Sequence, residues 1–354
     1  MEQLEDTVSL SQGSGGEETA KFIKNTFSEY LSNPLLDKSE DGAVVAMPNK
    51  VVLTTDTFTV KPLIFAGGDI GKLSIAGICN DLAVMAAKPL YMTMTFVIEE
   101  GFSIKKLKII LNSIKKELAI NNIFIVAADT KVVGKNNADG IFISASGVGE
   151  VIKKDVSIYN AKVGDEIVVS GCVGDHGAVV LMEQSEFSMQ SELQSDCKSL
   201  WPSIENLISK TDVTAMRDVT RGGLATILNE WAAQSKLSIN VREQAIPIKQ
   251  EVRGFCEILG FHPYQLACEG SFIAALKPGE GEKAVALLQD MGFADACVIG
   301  SFVETAINPD LDNTVNNNQK QTAQVPSGQV VLETASGSRR RLEPVRGELL
   351  PRIC

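Results

Sequence analysis

The stretch VVLTTDTFTVKPLIFAGGDIGKLSIAGICNDLAVMAA (residues 51–87) decides the fold class, because one regular pattern passes directly into another. Residues 51–56 are mostly apolar or β-branched and are typical of a strand that ends at Asp56. Residues 71–87 are rich in small apolar residues and predict a helix. The alternation continues outward, with a helix over 17–31, a strand over 90–98, an amphipathic helix over 103–119 and strands over 123–129 and 140–149.

A second unit repeats this alternation later in the chain. Its predicted elements are a strand at 164–171, helices near 176–186, 222–235 and 249–260, and a strand at 271–276. The segment 308–328 is polar and Asn/Gln-rich, as linkers are, and a strand over 329–334 follows it. The sequence therefore predicts an α+β (α/β) protein with an N-terminal domain (1–160), a C-terminal domain (161–334) and a mobile tail (335–354).

Composition narrows the function classes. The net charge of −11 argues against non-specific nucleic-acid binding, and the apolar runs are too short to cross a bilayer. The N-terminus lacks the pattern of an export signal, so we expect a cytoplasmic protein. Seven scattered cysteines and two histidines give neither a disulfide framework nor ligand spacing for a zinc or iron–sulfur site.

The chain ends in a cysteine, Cys354, behind a basic segment that contains Arg339, Arg340, Arg341 and Arg352. The basic tail is either solvated or docked on an acidic patch of its own chain or of a partner. From Arg339 onward an extended arm spans up to about 50 Å, enough to reach a site on either domain. An exposed terminal thiol is open to oxidation, so Cys354 is either an accident of a disordered tail or has a function.

Four aspartates are candidates for a metal–nucleotide site. Asp56 and Asp129 are predicted to end strands, Asp81 lies in the predicted helix over 71–87, and Asp218 lies in MRDVTRGG. Strand ends of α/β sheets converge on a ligand-binding crevice, where neighbouring carboxylates are compatible with bridging Mg²⁺. Any one of these aspartates is equally explained as a helix cap or a turn residue.

Three further features are compatible with the same chemistry. Lys131, two residues after Asp129, is placed to meet substrate or phosphate. Glu269 lies in an apolar setting, where burial would raise its pKa and suit it to proton transfer. The glycine-rich GSGG loop (Gly13, Ser14, Gly15 and Gly16) precedes a helix and is either a phosphate cradle or a flexible loop.

Taken together, these motifs resemble a known family. Six motifs occur in the order seen in the HypE family of hydrogenase maturation factors. They are GSGGEE, VAADTKVV, GCVGDHGAVVL, MRDVTRGGL, EGS and the terminal PRIC. That family belongs to the aminoimidazole ribonucleotide synthetase-like ATP-binding superfamily. The likeness covers almost the whole chain, and the terminal Pro-Arg-Ile-Cys is specific to the HypE family.

The resemblance implies a two-domain fold of that superfamily and a function. The HypF carbamoyltransferase would load Cys354 with an S-carboxamide. This chain would then dehydrate the carboxamide with ATP and Mg²⁺ to a thiocyanate, the source of the cyanide ligands of [NiFe]-hydrogenase. The HypC–HypD scaffold would accept the cyano group, and the family likeness suggests a homodimer.

The same resemblance implies residue roles. Lys131 and Glu269 would orient the carboxamide on Cys354 and remove its protons. Asp56, Asp81, Asp129 and Asp218 would hold the metal ion. The remaining nucleotide-binding candidates are Lys72, Asn80, Thr130, Thr220, Gly222, Gly223 and the GSGG loop.

Two departures and two alternatives accompany this interpretation. Gln12 stands where the family usually has histidine, and the Asn/Gln-rich stretch at 312–324 is longer than the family pattern. One alternative is another enzyme of the superfamily, such as one similar to selenophosphate synthetase, which has no use for a terminal cysteine. The other is a non-catalytic thiol carrier, which needs no ordered nucleotide site.

Overall fold

The computed structural model describes residues 6–14, 16–38, 42–184, 191–304, 328–344 and 352–354. Gly15, the 312–324 stretch and residues 345–351 of the predicted tail lie outside the described residues.

The first unit is a four-stranded sheet backed by helices. Its elements are α1 (Gly16–Phe22), a π-helical turn (Ile23–Phe27), α2 (Ser28–Leu31), β1 (Val51–Phe58), β2 (Ile64–Phe65), β3 (Gly68–Asp69), α3 (Ile70–Val84), β4 (Ala87–Glu99), α4 (Ile104–Asn121), β5 (Phe124–Val133) and β6 (Ile141–Val151). The strand order is β1-β6-β4-β5, with only β4 and β5 parallel, so β1 and β5 are the two edges.

Helix α3 is almost completely buried, as its small residues predict. The Asp69 carboxylate caps it by accepting hydrogen bonds from the N–H groups of Gly71 (2.8 Å) and Lys72 (3.0 Å). The helix ends at Val84, three residues before the predicted end, because Ala86 takes a left-handed φ of 53° that breaks helical geometry. Strand β4 begins directly afterwards and includes the predicted 90–98.

The second unit is a seven-stranded sheet between helical layers. Its elements are β7 (Glu166–Val169), α5 (Asp175–Gln184), α6 (Trp201–Lys210), β8 (Val213–Asp218), α7 (Gly223–Ser235), β9 (Ser238–Arg242), α8 (Gln250–Leu259), β10 (Phe272–Leu276), α9 (Gly281–Asp290), β11 (Cys297–Val303), β12 (Val330–Glu333) and β13 (Arg339–Arg341). The strand order is β13-β12-β9-β11-β7-β10-β8. One core forms against α7 around Trp231, and another forms against α6 and α9 around Trp201 and Phe293.

Two details differ from the sequence-based expectation. Arg339–Arg341, assigned to the tail, form β13 and pair with β12. The basic charge of this segment is also paired within the chain, since Arg340 forms an ion pair with Glu243. This supports docking on the chain's own acidic residues over a solvated tail.

The two units share buried surface. Helix α3 contacts both α6 and β8 of the second unit. Val179 of α5, Phe255 of α8 and Leu266 belong to the same buried cluster as Phe96 and Ile110 of the first unit. The functional residues described below lie along this junction. No helix within the described residues is long and apolar enough to cross a bilayer.

Candidate active site

The last residues of the chain lie at the junction of the two units, against the segment that follows β1. The backbone N–H groups of Thr59 and Lys61 donate to the carbonyl oxygens of Cys354 (3.0 Å) and Arg352 (3.2 Å). The Thr59 hydroxyl donates a further bond to the Cys354 oxygen (3.2 Å). The chain end is therefore held through its backbone, in a strand-like pairing.

Arg352 anchors this docked end through its side chain. Its Nε donates to the Thr59 carbonyl (2.8 Å), and its guanidinium forms an ion pair with Asp139 and lies 5.6 Å from the ring centroid of Phe142. Arg352 also has a left-handed φ of 56°, a conformation that costs free energy in a non-glycine residue. The docked position is thus specified by several contacts at once.

His176 holds the peptide just before the cysteine. Its Nε2 lies 2.8 Å from the Ile353 carbonyl oxygen, and its Nδ1 lies 2.8 Å from the Ser195 hydroxyl. The ring is fully buried, and burial lowers its pKa, so the imidazole is neutral near pH 7. His176 belongs to the sequence motif GCVGDHGAVVL, and this contact was not anticipated from the sequence.

Three carboxyl groups meet at the junction in front of the docked end. Asp81 projects from α3 and accepts a 2.5 Å hydrogen bond from the Thr54 hydroxyl. Burial raises the pKa of Asp81, and the nearby Asp56 raises it further. Burial and the charge of Asp81 raise the pKa of Asp218, at the end of β8, to about 7. These groups were predicted to cluster, and the structure brings them together.

Glu269 completes this acidic group. It is fully buried, its Oε1 has no hydrogen-bond partner among the described residues, and burial followed by the charge of Asp218 raises its pKa well above the ordinary value. Burial and the neighbouring Glu269 raise the pKa of the Cys354 thiol to about 11. The docked sulfur is therefore a neutral thiol next to a carboxyl group with an unused oxygen.

The loop that carries Glu269 is fixed by Asp196, which the sequence did not single out, and by Asn80. The Asp196 carboxylate accepts hydrogen bonds from the backbone N–H groups of Glu269 and Gly270, both at 3.0 Å. Asn80, a predicted nucleotide ligand, donates to the carbonyls of Lys198 (3.1 Å) and Glu269 (3.3 Å) and accepts from the Leu200 N–H (2.8 Å). Asn80 thus ties α3 to this loop, which is a positioning role.

A cleft of about 370 Å³ opens beside the acidic group and is lined by both units. Thr54 and Asp81 line it from the first unit, and Arg217, Asp218 and Trp231 line it from the second. Its size is that of a small-molecule site. Residues from either side of the junction can therefore contact one ligand.

Thr220, Gly222 and Gly223 form the turn into α7. The Gly223 N–H donates to the Thr220 carbonyl (2.9 Å), and both glycines take left-handed φ values of 76° and 61°. A Cβ at Gly223 would lie 2.5 Å from the Tyr264 carbonyl oxygen, so only glycine fits. Arg221, which sequence reasoning did not select, lowers the pKa of the Cys354 thiol through its charge.

Lys72 lies near the start of α3, whereas the glycine-rich loop lies against β5. The Lys72 Nζ donates to the Gly67 carbonyl (3.0 Å) near the start of α3. Gly13 packs against Val132 of β5, where a Cβ would overlap the valine side chain. Ser14 is exposed and donates to the Leu10 carbonyl (2.9 Å), and Gly16 begins α1. The loop is therefore at the β5 edge of the first sheet.

Asp129 does not join the other aspartates within one chain. One row of paired residues crosses the sheet from β1 through β6 and β4 to β5. It consists of Asp56, Ala145, Met94 and Ala128, and Asp129 follows Ala128 in β5. Three strand spacings place Asp129 about 14 Å from Asp56 along the sheet. The prediction that these two residues end strands is also wrong, because the β-branched residues after each continue the strand.

Lys131 lies on the same far edge as Asp129. Its Nζ is 2.7 Å from an Asp129 carboxylate oxygen, and both side chains are exposed. Thr130 lies between them, and its N–H donates to Asp129 (2.8 Å). A groove of about 380 Å³ beside Asp129 and Thr130 is lined by the helical segment from Thr19 to Leu36. The sequence analysis expected Lys131 to lie with Glu269 and Cys354, but a single chain does not bring these three residues together.

The donor set fits Mg²⁺ bound together with a phosphorylated ligand. Within the described residues no group of three or more side chains forms a complete metal cage. Mg²⁺ is usually held by one or two carboxylates plus waters and phosphate oxygens, so a partial set is expected. The raised pKa values of Asp56, Asp81 and Asp218 show carboxyl groups that a cation would stabilise in their charged form.

Comparison with protein families gives two matches. The model for the N-terminal domain of AIR synthase related proteins matches residues 39–151, and the model for the C-terminal domain matches residues 162–308. Carbamoyl dehydratase HypE of Bradyrhizobium diazoefficiens is 37% identical over 98% of this chain and 96% of that protein.

Solved structures give the same result. A crystal structure of the hydrogenase maturation protein HypE in complex with ATP is 36% identical, has a TM-score of 0.89 and covers 98% of this chain and 100% of its own. A crystal structure of a HypE–HypF complex includes a chain that is 34% identical with a TM-score of 0.75, covering 92% of this chain and 99% of that chain.

Proposed function

Because the chain belongs to the HypE family of AIR synthase related proteins, we propose that it is a carbamoyl dehydratase of hydrogenase maturation. Its substrate is an S-carboxamide on its own Cys354, and its product is the thiocyanate that supplies cyanide to the iron of [NiFe]-hydrogenase. One observation carries this proposal: the terminal cysteine is docked where its thiol feels the charge of Glu269, a buried carboxyl group whose Oε1 has no hydrogen-bond partner among the described residues.

Dehydration of the carboxamide takes two steps, phosphorylation of its oxygen and then loss of phosphate. The carboxamide oxygen attacks the γ-phosphorus of ATP, the bond from that phosphorus to the bridging oxygen of ADP breaks, and one nitrogen proton is lost. The resulting imidate carries phosphate on its oxygen. Loss of the second nitrogen proton forms the C≡N bond and expels inorganic phosphate, so the carboxamide oxygen leaves within that phosphate.

Glu269 is suited to take a proton from the substrate nitrogen. A buried carboxylate with a raised pKa is a stronger base than an exposed one. Thr59 and Arg352 hold the chain end so that the sulfur lies beside this carboxyl group.

ATP and Mg²⁺ fit the junction of the two units. A relative that is 36% identical was crystallised with ATP. Asp56, Asp81 and Asp218 would hold the cation, which would neutralise charge on the transferring phosphoryl group. We further assign the turn Thr220–Gly223 and Lys72 to the phosphates, since backbone N–H groups at α7 and the Lys72 ammonium are anion-binding groups.

A homodimer would complete the site. Asp129, Thr130, Lys131 and the glycine-rich loop lie on the edge of the first sheet opposite to Asp56. The outer face of that sheet presents Leu53, Phe124, Tyr91 and Val148, of which Leu53 is 71% exposed. We infer that two copies pack through this apolar face and that the β5 edge of each contributes Asp129 and Lys131 to the site of the other.

The proposed partners follow from the fate of the sulfur. A carbamoyltransferase of the HypF type would load Cys354, and a relative 34% identical was crystallised with HypF. A HypC–HypD scaffold would receive the cyano group. We place the reaction in the cytoplasm, where ATP is available and thiols stay reduced.

The decisive experiment is the mass of the C-terminal peptide. The chain is incubated with ATP, Mg²⁺, carbamoyl phosphate and the carbamoyltransferase, and the peptide is followed in time. We expect a carbamoyl adduct that then loses the mass of one water, and neither species in Cys354→Ala. A carboxamide that never loses water in the presence of ATP would support a simple thiol carrier instead.

A further inference from the structure

A chain of hydrogen bonds links the second unit to the last peptide bond of the protein. The Cys197 N–H donates to the Ser195 oxygen (3.1 Å), Ser195 contacts His176 Nδ1 (2.8 Å), and His176 Nε2 contacts the Ile353 carbonyl (2.8 Å). Residues from three separate parts of the chain thus meet at one point. The dehydration chemistry proposed above uses none of the side chains of this relay.

The direction of each bond follows from the donors present. A carbonyl oxygen only accepts, so His176 Nε2 carries the proton that it donates to Ile353. Nδ1 of the neutral ring is then an acceptor, and the Ser195 hydroxyl donates to it. Ser195 in turn accepts from Cys197. The relay therefore fixes one tautomer and one ring orientation, and Phe65 packs edge-on against the ring at 5.2 Å.

The other hydrogen bonds of the docked end among the described residues, and its ion pair, are made with the first unit. Thr59 and Lys61 follow β1, and Asp139 precedes β6. These contacts hold the backbone of the docked end and the Arg352 side chain from one side. His176 adds a contact from the opposite side to the Ile353 carbonyl, one residue before the reacting sulfur.

We propose that His176 is a positioning residue that recognises the Ile353 carbonyl and so fixes how far Cys354 reaches toward Glu269. Ser195 supports it by holding the ring in the donating tautomer. This inference rests on the proposed dehydration at Cys354 for its functional meaning. The docking contact itself is independent of the reaction.

Three variants test the proposal in the full-length chain. His176→Leu removes the donor, and His176→Gln retains an amide N–H near the position of Nε2. Ser195→Ala keeps the imidazole but removes its support. The first readout is the alkylation rate of unloaded Cys354 by iodoacetamide, with the buried Cys79 and Cys268 in the same digest as internal reporters of the fold.

Loss of the donor should accelerate Cys354 alkylation roughly tenfold, since an unpaired buried carbonyl is worth about that factor in the docking equilibrium. His176→Gln should stay near the wild-type rate and Ser195→Ala should lie between them, while Cys79 and Cys268 stay unlabelled. In single turnover at saturating ATP, dehydration should fall at least tenfold in His176→Leu, with ATP affinity unchanged and recovery in His176→Gln.

Other outcomes would overturn the role of His176. Wild-type rates of alkylation and dehydration in His176→Leu would do so. An equal loss of dehydration rate in His176→Leu and His176→Gln would do so as well. If His176→Leu does not fold, Ser195→Ala decides: wild-type rates there reject the relay. If the carboxamide on Cys354 of the wild-type chain does not lose water, the proposed function is wrong. The alkylation rates of the variants still decide whether His176 positions the tail.

Discussion

Glu269 is the residue whose environment departs most from that of an ordinary carboxylate. It is buried among Asp218, Asp196, Asp56 and Asp81, and its Oε1 has no partner in the described part of the chain. An unpaired buried polar atom costs about 1–3 kcal/mol of folding stability, so a functional role is the better explanation for such a group. Its position beside Cys354 supplies that role.

Glu269→Gln keeps the shape of the side chain and removes its basicity. The variant should bind Mg²⁺–ATP normally and accept the carbamoyl group, but dehydration should slow by roughly 10²–10⁴-fold because general-base catalysis is lost. The measurement is the ratio of carboxamide to thiocyanate on the C-terminal peptide, with Glu183→Gln, at the exposed end of α5, as the matched control. An unimpaired ratio in Glu269→Gln would reject the proton-transfer role.

Asp218 predicts a pH dependence with a definite sign. Its folded pKa is raised to about 7, so the folded ligand-free state binds more protons than the unfolded state above pH 4. The stability contributed by this group is therefore lost as pH rises from about 4 through 7. Cation binding needs the ionised form, so the affinity for Mg²⁺–ATP should rise between pH 6 and pH 8.

Asp218→Asn tests both consequences. It should raise the free energy of unfolding of the ligand-free protein at pH 8 by roughly 1–2 kcal/mol, because a desolvated charge is removed. It should also flatten the pH dependence of Mg²⁺–ATP affinity in calorimetry. A loss of stability between pH 5 and pH 8 that is smaller in Asp218→Asn than in the wild type fits this account, and equal pH profiles in both proteins contradict it.

Residue-level prediction from sequence selected carboxyl groups by their motifs and missed residues whose contacts come from distant parts of the chain. Asp56, Asp81 and Asp218 were selected in this way and meet at the junction, and their role as ligands of a metal ion stays a prediction. His176 was not recognised, because its partner Ile353 lies 177 residues away. Asp196 gave no signal either, since its role is to hold the backbone of a distant loop.

At the scale of elements, α3 determines how the two units meet. Its small residues let it pack against α4 and β1 on one side and α6 and β8 on the other. A Cβ at Gly71 would overlap the Ile110 carbonyl oxygen of α4, and one at Gly77 would lie 2.9 Å from Phe58. The composition of the helix is thus a packing requirement, and it also aims Asp81 at the junction.

Gly71→Ala should destabilise the fold by about 1–3 kcal/mol, because the added methyl group cannot be accommodated without moving α4. Gly254→Ala is the matched control. Gly254 lies inside α8 with nothing within 4 Å of a new Cβ, so alanine should stabilise the protein by about 0.5–1 kcal/mol. Urea denaturation measures both, and equal effects of the two substitutions would contradict the close approach of α3 and α4.

Element prediction was most accurate for the first unit and weaker for the second. The strand and helix alternation over 51–149 is present with shifts of a few residues at the ends. Helix α6 was missed because Pro202 in its first turn reads as a break, although proline is tolerated there. Strand β13 was missed because three consecutive arginines carry no strand signal, and its partner β12 supplies the pairing.

At the scale of the whole molecule, the site divides into two halves on opposite edges of one sheet. If Lys131 serves the site of the partner copy, two inactive variants should complement each other. Chains with Lys131→Ala and chains with Glu269→Gln, mixed after mild dissociation, should recover about a quarter of wild-type turnover, since half of the dimers are mixed and each mixed dimer has one intact site. No recovery in a mixture shown to exchange subunits would place Lys131 outside the site.

The docked chain end must also leave the junction, because one sulfur is loaded, dehydrated and unloaded by different proteins. The structure holds that end through the N–H groups of Thr59 and Lys61, and these two amides therefore report docking. Deleting residues 351–354 should accelerate their hydrogen exchange to that of an open edge while Mg²⁺–ATP binding is retained. Carbamoylation of Cys354 together with ATP should slow it below that of the unloaded chain, because the loaded tail makes contacts that exist only when docked. Exchange at Thr59 and Lys61 that is the same in all three states would contradict a tail that alternates between two positions.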